Sequence, residues 1–249
     1  KSVIYNIMTW NTQLYEQGNK LYAGGKTKVK NSECFNKVFD TIISHLDNGN
    51  AIAVLQEIPY VSNETWAEHK IFTAFKNKFS DKVYDVFYNV FSNKQLKMTV
   101  VIAKKNIIMK DGNEINRNNC FVGFKIKETD LKILAVHSHD AFELGEWLSS
   151  NESYSPQMML GDFNAGNYKK KNKDCEIAVN RKNYLMVCEG YIDIFQGCYT
   201  TIYKTHIDHV LIENSNEFHN VCCSKNITVD YSNNLSDHYP LYFQLEYHE

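Results

Sequence analysis

The stretch Met158-Met159-Leu160-Gly161-Asp162-Phe163-Asn164 constrains this chain more than any other. Three apolar residues, Met158 to Leu160, read as the end of a buried strand, and Gly161 then breaks it. Asp162 and Asn164 follow on alternate positions. In extended chain, residues two apart point the same way, so a carboxylate and an amide can face one reacting group. The carboxylate can work on a proton or a metal while the amide holds an oxygen. A plain Asx-type turn, in which both side chains only satisfy local backbone, accounts for the same seven residues. The rest of the chain decides between the two.

With 249 residues, 43% of them hydrophobic and 13% aromatic, the chain has enough apolar matter for a sizeable core, which excludes disorder. Three prolines and no Gly/Ser-rich or low-complexity run leave nothing to divide it, so a single domain spanning 1–249 is expected. No apolar run approaches the length of a transmembrane helix. The net charge of −2 advertises no nucleic acid globally. Locally, Lys20, Lys26, Lys28 and Lys30 share one Gly-containing loop, and Lys169, Lys170, Lys171 and Lys173 follow the opening stretch. Lysine runs are commonly solvated loops, yet both come just after polar motif residues, where a phosphate could be bound. The seven cysteines contain no C-x-x-C pair, so reduced, mostly buried thiols are expected, with the adjacent Cys222 and Cys223 on opposite faces of a strand. A cytoplasmic, monomeric protein is the expectation. Secretion is the alternative, because the chain starts at Lys1 without a Met, as it would after removal of a signal peptide.

Read in order, Val3 to Trp10 is a strand, with Trp10 expected in the core, and a polar loop runs on to about Asn31. Cys34, Phe35, Val38, Phe39, Ile42, Ile43 and Leu46 recur at helical spacing, predicting an amphipathic helix over Ser32 to Asp47 capped by Ser32. Ala51 to Leu55 is a buried strand that stops at Gln56-Glu57, two polar residues whose place there suits a metal ligand as well as surface emergence. Thr65 to Phe79 is expected to be helical with Trp66, Ile71, Phe72, Phe75 and Phe79 inward. Strands follow over Tyr84 to Val90, Met98 to Ala103, Phe121 to Ile126 and Leu131 to His137. Ala141 to Ser150 and Cys175 to Val187 are helical, and Ile207 to Ile212, Val221 to Val229 and Leu241 to Tyr247 form a second group of strands. Two groups of strands with helices between some of them point to an α/β sandwich of two packed sheets covered by helices.

Polar clusters stand at the ends of these strands: Asn11, Gln56-Glu57, His137-Ser138-His139, Asp162-Phe163-Asn164, Asp208-His209 and Ser236-Asp237-His238. Loops at strand ends converge on one edge, which is where such folds place their sites. Carboxylate and amide oxygens without thiolates suit a hard cation, Mg²⁺ or Mn²⁺. Histidines among them suit proton transfer.

The series Trp10-Asn11, Leu55-Gln56-Glu57, Val136-His137-Ser138, Gly161-Asp162-Phe163-Asn164, Ile207-Asp208-His209 and Ser236-Asp237-His238-Tyr239-Pro240 resembles the endonuclease/exonuclease/phosphatase superfamily, the deoxyribonuclease-I-like phosphoesterases. The match spans nearly the whole chain in the family's order. The resemblance implies a four-layered α-β-β-α sandwich, an α/β (α+β) fold of two mostly antiparallel or mixed sheets covered by helices. It implies that Glu57 is the principal ligand of Mg²⁺ or Mn²⁺, with Asn11 beside it and Asp237 facing the metal. Asp162 would position or deprotonate the attacking water, Asn164 would hold a phosphate oxygen, and Asp208 would orient His238. His137 stands where deoxyribonuclease-like and sphingomyelinase-like members carry histidine and abasic-site endonucleases carry tyrosine. Gln13 stands where abasic-site endonucleases have an acidic ligand, and Ser92 to Lys97 lacks the glutamate that orients the first histidine in deoxyribonuclease-like members. His206 and His209, which flank Asp208, are expected in surface or packing roles.

A metal-dependent nuclease on DNA or RNA is the function this implies, with Lys26, Lys28, Lys169, Lys170 and Lys171 as contacts to the phosphoester substrate. A phosphatase or phosphodiesterase for a small or lipid phosphoester, inositol-phosphate or sphingomyelinase-like, is the alternative. A catalytically silent adaptor is disfavoured by the intact metal and histidine positions.

Overall fold

The structure, a computed structural model, describes residues 1–17, 20–23, 26–29, 33–111, 120–129, 131–167, 175–214 and 221–248. In 16, 17, 20–23, 26–29, 33, 34, 175, 176 and 221–224 only the backbone is described. The strands are β1 (Ser2–Asn11), β2 (Lys20–Ala23), β3 (Lys26–Val29), β4 (Asn50–Pro59), β5 (Tyr84–Phe87), β6 (Lys97–Lys104), β7 (Ile108–Lys110), β8 (Phe121–Ile126), β9 (Leu131–His137), β10 (Met158–Asn167), β11 (Tyr191–Asp193), β12 (His206–Glu213), β13 (Val221–Val229) and β14 (Leu241–His248). The helices are α1 (Leu14–Gln17), α2 (Glu33–Leu46), α3 (Lys70–Lys78), α4 (Ala141–Ser150) and α5 (Cys175–Val187).

Alternation along the central strands assigns each side chain to a layer. In β1, Tyr5 and Ile7 face the second sheet while Met8 and Trp10 face α2 and α3. Ile52 and Val54 of β4 point inward, and Ala51, Ala53 and Leu55 point outward. In the second sheet, Ile133, Ala135, Met158 and Leu160 join the layer between the sheets, and Leu134, Val136 and Met159 pack under α4. Strands buried on both faces explain the continuous apolar runs in the sequence. The outcome is two six-stranded mixed sheets, ordered β13-β14-β1-β4-β6-β5 and β11-β12-β10-β9-β8-β7, stacked between pairs of helices. This is the four-layered sandwich that the motifs implied. Among the described residues only β1/β4 and β9/β10 are parallel pairs, each spanned by a connection that carries a helix on an outer face.

Several local expectations need correction. β4 does not stop at Gln56-Glu57 but continues to Pro59 through a register shift between Leu55 and Ile58. Nor does Gly161 end β10, which runs on to Asn167 with a second shift between Asp162 and Asn167. Thr65 to His69 is not helical. Trp66 has a φ of +58°, which a right-handed helix cannot carry, and lies 49% exposed. The helix begins at Lys70, where His69 accepts a hydrogen bond from Ile71 N. β5 is shorter than Tyr84 to Val90, and the stretch read as a polar loop holds α1 and the β2–β3 hairpin. The Ser32 cap and the side chains of Cys222 and Cys223 lie outside what is described. Among the cysteines whose side chains are described, Cys120, Cys188 and Cys198 form no disulfide. No described helix is long and apolar enough to cross a membrane.

Gly161 is packed closely against Val136 of the neighbouring strand β9 and against Gln56 of the first sheet. Its φ is +140°, and an added Cβ would fall 1.9 Å from Val136 O and 3.1 Å from Gln56 Nε2. Gly161→Ala is therefore expected to destabilise the protein by about 3 kcal/mol or more, combining backbone strain with a clash that no rotamer relieves. Gly197→Ala is also strained, at φ +88°, but meets no atom within 4 Å and should cost only about 1 kcal/mol. Urea unfolding of both variants measures the difference, and equal midpoints would remove the close-approach argument.

Candidate active site

Alternation also fixes where the polar residues go. Three motifs on neighbouring strands are in register, with Asp162 of β10 opposite His137 of β9 on one side and Asp208 of β12 on the other. All three continue the inward-facing series of their strands, so they stand side by side at the edge of the inter-sheet layer. Asn11 and Gln56, paired across β1 and β4, do the same from the first sheet. Ser236 to Pro240, between β13 and β14, closes the site. Ser236 Oγ donates to Asn11 O at 2.7 Å, Trp10 Nε1 donates to His238 O at 3.0 Å, and His238 bridges to Thr201. Trp10 is core, as expected, and also fixes this loop.

Asp162 is the centre. Its Oδ1 accepts from Asn164 N at 2.9 Å, which is the Asx-type turn. Its Oδ2 accepts from Asn11 Nδ2 at 2.9 Å and stands 3.7 Å from both His137 Nε2 and His238 Nε2. The Asx-type turn therefore accounts for one carboxylate oxygen of the opening stretch, while the other is directed at Asn11 and the two histidines. Asn164 does not share a simple strand face with Asp162. Its φ is +47°, and its side chain donates to Ser138 O at 2.8 Å.

Asp208 and His238, 30 residues apart, are in contact: His238 Nδ1 donates to Asp208 Oδ2 at 2.8 Å and to Oδ1 at 3.0 Å. The two site histidines are driven to opposite states. Burial opposes charge on His238, but Asp208, Asp162 and Asp237 together hold it well above its ordinary pKa. Burial outweighs Asp162 at His137, which Lys97 and His238 disfavour further, and its pKa is pushed down to about 4. At neutral pH one ring is an imidazolium and the other a neutral imidazole. His139, two residues beyond His137, is exposed beside Asp140 at the start of α4.

Glu57 sits in the β4 bulge with a φ of +58°, 5% exposed and with an oxygen 3.9 Å from Lys97 Nζ. Lys97, the first residue of β6, also lies over the Tyr15 ring and is the site residue that motif reading missed; only its pairing with Pro59 places it there. Gln13, at the acidic position of other branches, accepts from Asp237 N at 2.9 Å and so positions that loop. Asp237 is held up in pKa by burial and by Asp208 and Asp162, and its buried Oδ1 has no hydrogen-bond partner among the described residues. An orphaned carboxylate oxygen among further carboxylates suits a hard divalent cation. Asn11 Oδ1 accepts from Gln13 N and has capacity for a second contact. Glu57 is not among the carboxylate and imidazole atoms that converge within 4.8 Å, which here are those of Asp162, Asp208 and His238. The backbone of Lys26 and Lys28 lies in β3, with their side chains outside the description, and Lys169, Lys170 and Lys171 lie outside it altogether.

Of the surface or packing roles expected for His206 and His209, packing is the one the structure shows. His209 points to the outer face of the sheet, 1% exposed, under α5. His206 is packed beside it.

No family model and no curated protein sequence matches this chain. Solved structures do. The endonuclease domain of TRAS1, a telomere-specific non-LTR retrotransposon, matches with a TM-score of 0.60 at 14% identity, over 98% of each chain. A 3'-5' exonuclease of Neisseria meningitidis gives 0.59 at 14% identity, over 98% of this chain and 100% of that one. An endonuclease/exonuclease/phosphatase family protein of Bacteroides thetaiotaomicron gives 0.58 at 13% identity, over the whole of both chains. Likeness along the entire chain, with the expected motif residues meeting at one sheet edge, establishes that this protein has the endonuclease/exonuclease/phosphatase fold.

Proposed function

We propose that the chain is a divalent-metal-dependent phosphodiester hydrolase, a nuclease acting on DNA or RNA by water attack. The observation that carries this is the charge pairing at Asp162: a buried carboxylate with a cationic imidazole on one side and a neutral one on the other. Phosphodiester hydrolysis needs a site for the anionic phosphoryl oxygens and an acceptor for the proton of water. His238, with Nδ1–H spent on Asp208, has Nε2–H left to donate to a phosphoryl oxygen, and its fixed positive charge stabilises the transition state. Asp162, held by Asn11 and by Asn164 N, orients the water and accepts its proton. His137, being neutral, can donate a hydrogen bond without adding charge. Mg²⁺ or Mn²⁺ held by Glu57, Asn11 and Asp237 would neutralise the phosphoryl oxygens and the leaving alkoxide.

Chelation with EDTA is expected to abolish activity and excess Mg²⁺ to restore it, with Glu57→Gln shifting the restoration to higher Mg²⁺. Full hydrolysis in EDTA would remove the metal from this reading.

His238→Ala should lower turnover by at least ~10²-fold, and Asp208→Asn by less, since the imidazole survives without its orienting charge. If the pair acts as a unit, the double variant should be little worse than His238→Ala alone. Because the His238 pKa is raised, its charged form persists through neutral pH and is lost as pH rises through the folded value. Activity should therefore have a basic limb well above pH 6.5 that moves toward it in Asp208→Asn. Additive losses and an unmoved limb, in folded variants, would dissolve the pair.

Changing Lys169, Lys170, Lys171 and Lys173 to Gln should weaken DNA binding across sequences and flatten its salt dependence, since fewer counterions are released. An unchanged slope, alongside turnover of small phosphomonoesters, would favour the phosphatase alternative.

A further inference from the structure

On the outer face of the second sheet, away from Asp162, two histidines and a carboxylate meet. Asp193 Oδ2 lies 2.8 Å from His209 Nδ1 and 3.3 Å from His206 Nε2. The Tyr184 hydroxyl is 3.1 Å from His209 Nδ1 and 3.2 Å from Asp193 Oδ2. The Asp193, His206 and His209 side chains are 12%, 11% and 1% exposed, and their donor atoms lie within 4.8 Å of one another.

The hydrogen bonding around this group points to a ligand. His209 Nε2 donates to Ala165 O at 2.6 Å, so the neutral ring presents a bare lone pair at Nδ1. A second ring nitrogen fixed on a backbone carbonyl is the usual outer support of a metal-bound histidine. The bare Nδ1 faces the Asp193 carboxylate, and two acceptors do not approach to 2.8 Å unless a proton or a cation lies with them. His206 Nε2 is buried, faces the same carboxylate, and has no hydrogen-bond partner among the described residues. A proton shared by His209 and Asp193 would leave that nitrogen unexplained. A cation accounts for all three groups. In a tetrahedral site with bonds of about 2.0–2.1 Å, donor atoms stand roughly 3.3 Å apart, close to the separations found here.

We propose that Asp193, His206 and His209 form a second metal site, with the Tyr184 hydroxyl or a water in the fourth position. Two imidazoles and one carboxylate suit Zn²⁺ rather than Mg²⁺, which prefers all-oxygen octahedral surroundings. The site is structural. It joins β11, β12 and α5, and through Ala165 O it braces the strand that carries Asp162 and Asn164. Gly166 permits this closeness: its φ is +133°, and a Cβ there would stand 2.7 Å from His209 Nε2.

The test is titration of EDTA-stripped, dialysed protein with Zn²⁺ and with Co²⁺ in saturating Mg²⁺, read by calorimetry, by the visible absorption of tetrahedral Co²⁺, and by Tm. One equivalent should bind and raise Tm. His206→Gln should weaken binding by at least ~10-fold and abolish the Tm rise. Its unliganded fold should persist, because this nitrogen makes no hydrogen bond that the substitution breaks. Asp193→Asn should weaken binding as well and provides the same readout should His206→Gln fail to fold. Glu57→Gln should leave the Zn²⁺ titration unchanged. Absence of Zn²⁺ binding, or binding that survives both His206→Gln and Asp193→Asn, would overturn the site. Loss of binding in Glu57→Gln but not in His206→Gln would assign the ion to the active site and overturn it equally.

Discussion

Asn11 reaches from the first sheet to donate Nδ2 to Asp162 Oδ2 at 2.9 Å, and the carboxylate it meets is 1% exposed. A charge that deep costs several kcal/mol unless it is hydrogen-bonded and paired. Asn11 and the Asn164 amide provide the bonds; His238 provides the countercharge from 3.7 Å away. His238 is itself buried, so its own charge requires Asp208 on the far nitrogen. The row Asp208, His238, Asp162, Asn11 is therefore one electrostatic unit spanning two strands of the second sheet, one of the first, and the loop that closes them. Removing any member leaves a neighbour with an uncompensated buried group.

The same edge concentrates backbone strain. Gln13, Glu57 and Asn164 all have left-handed φ values, of 52°, 58° and 47°. Such a conformation in a non-glycine residue costs of order 1–3 kcal/mol, and it persists only where its surroundings over-determine it. Asn164 is held by Asp162 through its N–H, by Ser138 through its side chain and by Asn180 through its carbonyl. Gln13 is held by Asn11 and by the Asp237 loop. Glu57 and Asn164 sit at the register shifts of β4 and β10, where an extra residue re-aims side chains at the end of a ladder. The bulges turn Glu57 and Asn164 out of the strict alternation that would otherwise send one of each neighbouring pair under the helices.

These bulges mark the boundary of what the amino-acid sequence discloses. Period-two alternation along β1, β4, β9 and β10 is written in single residues, so the inward placement of Asn11, His137, Asp162 and Asp208 follows from counting. A bulge depends on how a strand pairs with its neighbour, and the sequence of β4 alone reads as a strand that stops at Gln56. Trp66 misled for a related reason: its spacing suits a helix, but the chain adopts φ +58° there to enter the cap at His69. Lys97 and Asp193 reach their places through pairings of β6 with β4 and of β11 with β12 that no local pattern announces. His209 was legible only as a neighbour of Asp208. Its burial follows from the same alternation, which turns residue 209 outward whenever 208 turns inward, onto a face that α5 covers.

That last relation couples two centres through one dipeptide. On β12, Asp208 faces the layer between the sheets and orients His238, while His209 faces α5 and holds Ala165 O and Asp193. On β10, Asp162 answers the first centre and Ala165 the second, three residues apart across the bulge at Asn164. In the inner centre, Asp162, Asp208, Asp237 and Glu57 set four carboxylates against the cations His238 and Lys97. Burial raises the pKa of Asp237, and the neighbouring carboxylates of Asp208 and Asp162 raise it further. A divalent cation beside these carboxylates would favour their charged forms. The outer centre has the complementary chemistry, richer in imidazole and poorer in oxygen. The two faces of one sheet edge thus present different donor sets, and a protein holding both cations would keep them apart by ligand type rather than by distance along the chain.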